Sequence, residues 1–219
     1  MDFARTKYVT TMGMLAAMAV LSTILIRIPV MPAAPFLTYD PKDIIVVMGG
    51  FIFGPVAAMT LAAITALVEM PFSGTGPWGL VMNFASSAAF AVPAAIIYKY
   101  RRTMTGAIVG LTTGIIIVVP IMLLLNFLVV PLFMPFVTRE AVATMLIPTF
   151  LPFNLIKYTL SAAITLIIYK PIVNALAAAS LLPPIPEANK KQLFATITII
   201  SALIIAGLVI TIIIMNTRA

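Results

Sequence analysis

The sequence predicts an all-α integral membrane protein, and three observations support that fold class. Of the 219 residues, 63% are hydrophobic and only 9% are charged, whereas an ordinary soluble domain is about 45–50% apolar and about 25% charged. Several apolar stretches are long enough to cross about 30 Å of hydrocarbon as helices. Clusters of proline and glycine separate these stretches, so little chain remains for a soluble domain.

The first predicted helix covers about residues 8–29. Gly13 and Ala17 are four residues apart and therefore share one helix face, where small side chains let another helix approach closely. This face either packs within the chain or docks a partner. The segment 30–43 follows, and its three prolines interrupt any helix. Because it mixes aromatic and acidic side chains, it is either a lid over a site or a plain connector.

A short helix over 42–53 and a third helix over 54–70 come next, separated by a glycine-proline turn. The short helix cannot span a bilayer perpendicularly. The third helix has a small residue at every fourth position, which predicts close helix packing. These residues are Gly54, Ala58, Ala62 and Ala66. Near its end we expect Glu69 to be a solvated carboxylate at the membrane interface rather than part of a site.

Three more helices complete a predicted six-helix bundle, over about 79–98, 104–130 and 148–170. Gly106, Gly110 and Gly114 form a second close-packing ridge on the fifth helix. A loop is predicted over 131–148. Beyond the bundle domain of 1–180, a proline-rich cytoplasmic connector covers 181–192, and an additional transmembrane helix lies within 193–219.

The sixth predicted helix places an amide and an ammonium on one face. Asn154 and Lys157 are three residues apart, so they lie on the same side of the helix. A lysine within apolar sequence is costly in a bilayer and indicates function unless it has a structural partner. Asp40, Asp43 and Glu69 are the candidate partners.

The basic residues predict the orientation of the chain, because cytoplasmic loops carry an excess of lysine and arginine. With the N-terminus in the cytoplasm, most basic residues fall on the inner side, whereas Lys42, Arg139 and Arg218 fall on the outer side. Asn126, the Asn154/Lys157 face and the segment 30–43 then converge toward the outer side, and Asn83 is a further polar candidate. Convergent polar groups in an apolar bundle predict a pocket for a flat, mostly apolar small molecule.

The composition excludes much other chemistry. The chain has no cysteine and no histidine, which removes thiol nucleophiles and the commonest general base and metal ligand. It has only six acidic residues and no phosphate-binding loop motif. We expect no catalytic residue, no metal and no cofactor. The net charge of +7 is assigned to cytoplasmic loops of a protein surrounded by lipid, not to nucleic-acid binding.

Four sets of residues match a known family in order and spacing across about residues 8–180. They are Phe36-Leu-Thr-Tyr-Asp-Pro-Lys-Asp43 with the following Gly-Phe-x-Phe-Gly-Pro55, then Asn83-Phe84-Ala85, then Leu125-Asn126-Phe127 with Pro131-Leu132, and finally Pro152-Phe-Asn-Leu-Ile-Lys157. On these motifs the chain resembles the substrate-binding S component of energy-coupling factor (ECF) vitamin transporters, specifically the riboflavin type.

The resemblance implies a six-helix S-component bundle in the bacterial cell membrane, with an outward-facing riboflavin pocket capped by the first loop. Riboflavin would be the transported ligand, not a cofactor. Asn126, Asn154 and Lys157 would contact the polar edge of the flavin. The lid would include Leu37, Thr38 and Tyr39.

The resemblance also implies partners, namely a transmembrane T component and two ATPase subunits. In that family, small residues of the first helix dock the T component, usually as Ala-x-x-x-Ala. The best match here is Gly13-x-x-x-Ala17, which departs from that pattern. The helix within 193–219 is additional to the six helices of the family.

Two alternatives remain open from the residues. The chain could be an S component or a solitary carrier for another small ring compound. It could also be a membrane enzyme acting on lipids, for which Glu69 and Lys157 would form the proton-transfer pair.

Overall fold

The protein is described here by a computed structural model that covers residues 3–31, 34 and 37–178. The predicted connector, 181–192, and the additional helix within 193–219 lie outside the described residues. Helices dominate the described part of the chain, and the two strands have only two residues each.

The elements follow one another in this order: α1 (Phe3–Leu25), β1 (Ile28–Pro29), β2 (Thr38–Tyr39), α2 (Lys42–Phe53), α3 (Pro55–Glu69), α4 (Gly76–Tyr100), α5 (Met104–Phe133), α6 (Arg139–Met145) and α7 (Leu151–Ala178). β1 and β2 pair antiparallel within the connection between α1 and α2. Within the described residues, five helical segments are long and apolar enough to cross a membrane. Together with the short α2 they confirm the predicted six-helix membrane bundle.

α2 is a buried helix that does not span the bundle. Its 12 residues rise only about 18 Å at 1.5 Å per residue, and ten of them are buried. Gly54 ends α2 by donating its N–H to the Gly50 carbonyl at 2.8 Å. Its φ of 95° lies in the region that favours glycine, and Pro55 then starts α3. The chain thus reverses sharply and places α2 beside α3.

Small residues bring neighbouring helices into close contact, as the sequence predicts. On α3, Ala58, Ala62 and Ala66 are at most 1% exposed. On α5, Gly110 and Gly114 pack against the α4 backbone, and Gly106 packs against the Arg101 carbonyl in the turn between the two helices. A Cβ added to Gly110 would lie 2.7 Å from the Ala94 carbonyl oxygen. The α4–α5 contact is therefore set by main chain rather than by long side chains.

The predicted loop over 131–148 is wrong. α5 continues to Phe133, and the short helix α6 follows, capped by the Thr138 side chain, which accepts the Ala141 N–H at 3.3 Å. A π-helical turn, Leu146–Phe150, then joins α6 to α7. Pro148 lies in this turn, whose wider winding relieves the clash that a proline makes in an ordinary α-helix.

The α4–α5 contact makes a test of packing possible. Gly110→Ala should destabilise the bundle by roughly 1–3 kcal/mol, because the new methyl group meets a backbone carbonyl that cannot move aside. Thermal unfolding in detergent, followed by the fluorescence of the single tryptophan, Trp78, measures the loss. Gly13→Ala is the matched control, because nothing lies within 4 Å of a Cβ at that position. Equal midpoints for the two variants would contradict the packing argument.

Candidate functional site

A cavity of about 390 Å³ opens between the helices beneath the α1–α2 connection. Its volume falls in the range of about 300–1,000 Å³ that small-molecule sites occupy. Six of the seven predicted substrate-binding residues line it, namely Leu37, Thr38, Asn83, Asn126, Asn154 and Lys157. The seventh, Tyr39, lies outside the lining and is only 5% exposed. The structure thus brings together side chains from the connection, α4, α5 and α7.

The Lys157 ammonium is paired with two carboxylates. It lies 3.0 Å from an oxygen of Asp40 and 3.7 Å from an oxygen of Asp43. The other oxygen of Asp43 accepts the Ser87 hydroxyl at 2.6 Å. Two of the structural partners foreseen from the sequence are therefore present. An ammonium has three N–H donors, so its pairing with Asp40 leaves donors for a ligand.

Asp40 stays ionised despite its burial. Burial by itself would raise the pKa of this carboxyl, but the charges of Lys157 and Lys42 hold its pKa below the ordinary value. Burial also raises the pKa of the neighbouring Tyr39 phenol, which stays protonated. The α1–α2 connection therefore brings the negative charge of Asp40 to the cavity.

A second buried ion pair joins α2 to α3. Lys42 Nζ donates to Glu69 Oε2 at 2.6 Å, and Asn83 Nδ2 donates to the same oxygen at 3.2 Å. Lys42 and Glu69 are each 1% exposed, and both line the cavity. The expectation of a solvated Glu69 is therefore wrong, because Lys42 enters the bundle with α2 and supplies the opposite charge.

The two asparagines on the facing helices are held by their own backbones. Asn126 Nδ2 donates to the Met122 carbonyl at 2.6 Å, and Asn154 Nδ2 donates to the Phe150 carbonyl at 2.7 Å. Each bond uses one of the two amide N–H donors. The second N–H and the amide oxygen remain for a molecule in the cavity, so both side chains are oriented in advance.

Apolar side chains complete the cavity. Met122 and Val130 of α5 and Phe153 of α7 are among its lining residues, and Leu37 contributes from the connection. The arrangement suits a flat apolar ligand with polar groups at its edges, since apolar walls with a few fixed polar groups are typical of small-molecule sites.

Sequence reasoning missed Lys42 and Glu69 as members of the site. Lys42 was assigned to the outer loops, and Glu69 to the membrane interface. The sequence does contain a feature that could have indicated this pair. Lys42 and Glu69 carry opposite charges, are 27 residues apart, and each lies at the edge of an apolar segment. Asp40 and Asp43 were named only as partners of Lys157, although Asp40 also lines the cavity.

The face of α1 that carries Gly13 and Ala17 points away from the described bundle. Both residues are exposed, and a Cβ at Gly13 would meet nothing within 4 Å. The opposite face, with Met12, Ala16 and Ala19, is buried. The described residues therefore do not use this face for packing within the chain, and the choice between the two alternatives left open by the sequence stays a prediction.

Known proteins resemble this chain along most of its length. The family model described as "ECF transporter, substrate-specific component" matches residues 7–169. The riboflavin transporter RibU of Staphylococcus aureus (strain TCH60) is 31% identical over 182 residues, which cover 80% of this chain and 95% of that protein. The riboflavin transporter FmnP of Bacillus subtilis (strain 168) is 27% identical over 162 residues, covering 70% and 85%.

A solved structure shares the fold. It is titled "Structure and mechanism of the S component of a bacterial ECF transporter", and it superposes with a TM-score of 0.67 at 30% identity. The match covers 78% of this chain and 98% of that one.

The buried Lys42–Glu69 pair predicts an asymmetric effect on stability. Lys42→Met leaves the Glu69 charge buried without its cation and should cost roughly 3–5 kcal/mol, whereas Lys42→Met with Glu69→Leu removes both charges and should recover most of that loss. Denaturant unfolding in detergent provides the comparison. Arg139→Met, an exposed change on α6, should stay within about 0.5 kcal/mol of the unmodified protein. A double variant as unstable as the single one would contradict this account.

Proposed function

This chain belongs to the ECF transporter substrate-specific component family, and from that premise we propose that it binds riboflavin at the cell surface and serves its uptake. One observation carries the proposal: Asn126, Asn154 and Lys157 line one apolar-walled cavity. The relatives named as riboflavin transporters support the choice of ligand.

The polar groups of α5 and α7 match the heteroatom edge of a flavin. Lys157 offers donors to a ring carbonyl or nitrogen, and the two amides can each donate and accept. Phe153 and Met122 supply apolar contacts for the ring faces. Leu37 and Thr38 cover the ligand from the lid connection. Riboflavin is bound here as cargo rather than as a resident cofactor.

The ion pair between Lys157 and Asp40 couples the ligand to the lid. Asp40 immediately follows β2, so its carboxylate joins the connection to α7. A flavin that takes a hydrogen bond from Lys157 shares the ammonium with Asp40. Ligand binding and lid position thereby depend on the same charged group.

The family to which the chain belongs supports an assembly with energising partners, and the sequence contains no phosphate-binding loop of its own. A T component and two ATPase subunits supply the energy. The exposed Gly13/Ala17 face of α1 is the proposed docking surface for the T component, because small residues let a second helix approach closely. The N-terminus lies in the cytoplasm of a bacterial cell, which agrees with the distribution of basic residues.

Substitutions on α7 test the ligand site. Asn154→Ala and Lys157→Ala each remove hydrogen bonds to a buried ligand and should each weaken riboflavin binding by about 1–3 kcal/mol. Titration of flavin fluorescence with detergent-purified protein measures the affinity, and the absorption spectrum of the purified protein should show bound flavin. Lys170→Ala is the control on the same helix, about 20 Å away along its axis. Unchanged affinity in both site variants, or tight binding of a different ring compound only, would overturn the assignment.

Bulky substitutions on α1 test the docking surface. Gly13→Leu and Ala17→Leu should prevent copurification with the T component, because each fills the space into which a partner helix must fit. Riboflavin affinity should stay unchanged, because neither residue lines the cavity. Ile116→Phe, which adds bulk at another exposed position, on α5, is the matched control. Complex formation by both α1 variants would show that the T component docks elsewhere.

A further inference from the structure

A second cluster of polar side chains lines the cavity. It lies on helices that carry none of the proposed contacts to the flavin ring. Lys42, Glu69 and Asn83 belong to α2, α3 and α4, whereas Asn126 and Lys157 belong to α5 and α7. All of these residues line the same cavity. A ligand held at its ring edge by α5 and α7 therefore has a second set of polar groups available on the other helices.

The hydrogen bonds of Glu69 are unevenly divided between its two oxygens. Oε2 accepts from both Lys42 and Asn83. Oε1 is buried and has no hydrogen-bond partner in the described part of the chain. Buried polar atoms are almost always hydrogen-bonded, and each exception needs an explanation.

A purely structural role for Glu69 explains only part of this geometry. The carboxylate neutralises the buried Lys42 charge, and this accounts for Oε2. It does not account for the unpartnered Oε1, nor for the position of all three residues on the cavity wall. A ligand donor explains both observations at once.

We infer that Glu69 accepts a hydrogen bond from a hydroxyl group of the ligand, which for riboflavin lies on the ribityl chain. This inference rests on the proposed function. An ionised carboxylate can only accept, so it matches a hydroxyl rather than a second acceptor, and the bond is charge-assisted. Lys42 and Asn83 are positioning residues, because they fix the carboxylate through its other oxygen. The ring edge and the hydroxylated chain then have separate recognition groups in one cavity.

Two ligands with the same ring system can show whether Glu69 recognises the hydroxylated chain or only supports the structure of the cavity. Riboflavin carries the ribityl chain, whereas lumiflavin has a methyl group in its place. Glu69→Gln should weaken riboflavin binding about tenfold or more, since it replaces a charged acceptor by a neutral one. Lumiflavin affinity should change by less than about twofold, because that ligand makes no contact with this group. Fluorescence titration of both ligands provides the four affinities.

Two further variants complete the experiment. Glu140→Gln, an exposed change on α6, should alter neither affinity. Lys42→Gln with Glu69→Gln removes both buried charges together, so it preserves the fold if Glu69→Gln alone does not, and it should show the same selective loss of riboflavin binding.

The outcomes distinguish this inference from the function on which it rests. Equal losses for both ligands would indicate a structural role for Glu69 and overturn the inference, as would no loss for either. Unmodified protein that binds lumiflavin as tightly as riboflavin would overturn the inference and leave flavin binding intact. Protein that binds neither ligand would overturn both.

Discussion

Two buried ion pairs meet in one short stretch of chain, and the arrangement of the cavity depends on them. Asp40 and Asp43 approach Lys157 of α7, while Lys42, between them, pairs with Glu69 of α3. Positions 40–43 thus join the α1–α2 connection and α2 to two other helices, α3 and α7. Because an unpaired charge is strongly unfavourable in such an interior, none of these elements can shift alone without exposing a partner. The stretch fixes the α1–α2 connection, α2, α3 and α7 relative to one another.

The bundle contains two kinds of packing, and the ion pairs belong to the second. Along α4 and α5, glycine and alanine bring backbones together, and the contact is apolar and close. Beneath the connection, charged and amide side chains line a cavity of about 390 Å³ between the helices. The first region provides rigidity, because main-chain contacts have no rotamers to change. In the second, Lys42, Lys157, Asn126 and Asn154 are each oriented by a hydrogen bond to a neighbour.

The sequence predicted what depends on local pattern, and failed where distant residues decide. Apolar length and glycine-proline breaks identified the six helices, and spacing placed Asn154 with Lys157. Proline alone was misleading at position 148, because a π turn can accommodate it. Glu69 was misjudged because its partner lies 27 residues earlier in the chain. Asp40 and Lys157 are 117 residues apart, so composition could name the pair as a candidate but could not establish it.

The π turn between α6 and α7 determines the direction in which the side chains of α7 point around the helix axis. Each residue of an α-helix advances the side chains by about 100° around the axis, so the extra residue of a π turn rotates everything that follows it. Deleting one residue from Leu146–Phe150 would rotate Asn154 and Lys157 by that angle, away from Asn126 and Asp40. The length of this turn therefore decides whether Asn154 and Lys157 face the cavity. Substitutions within it should be tolerated far better than a single insertion or deletion.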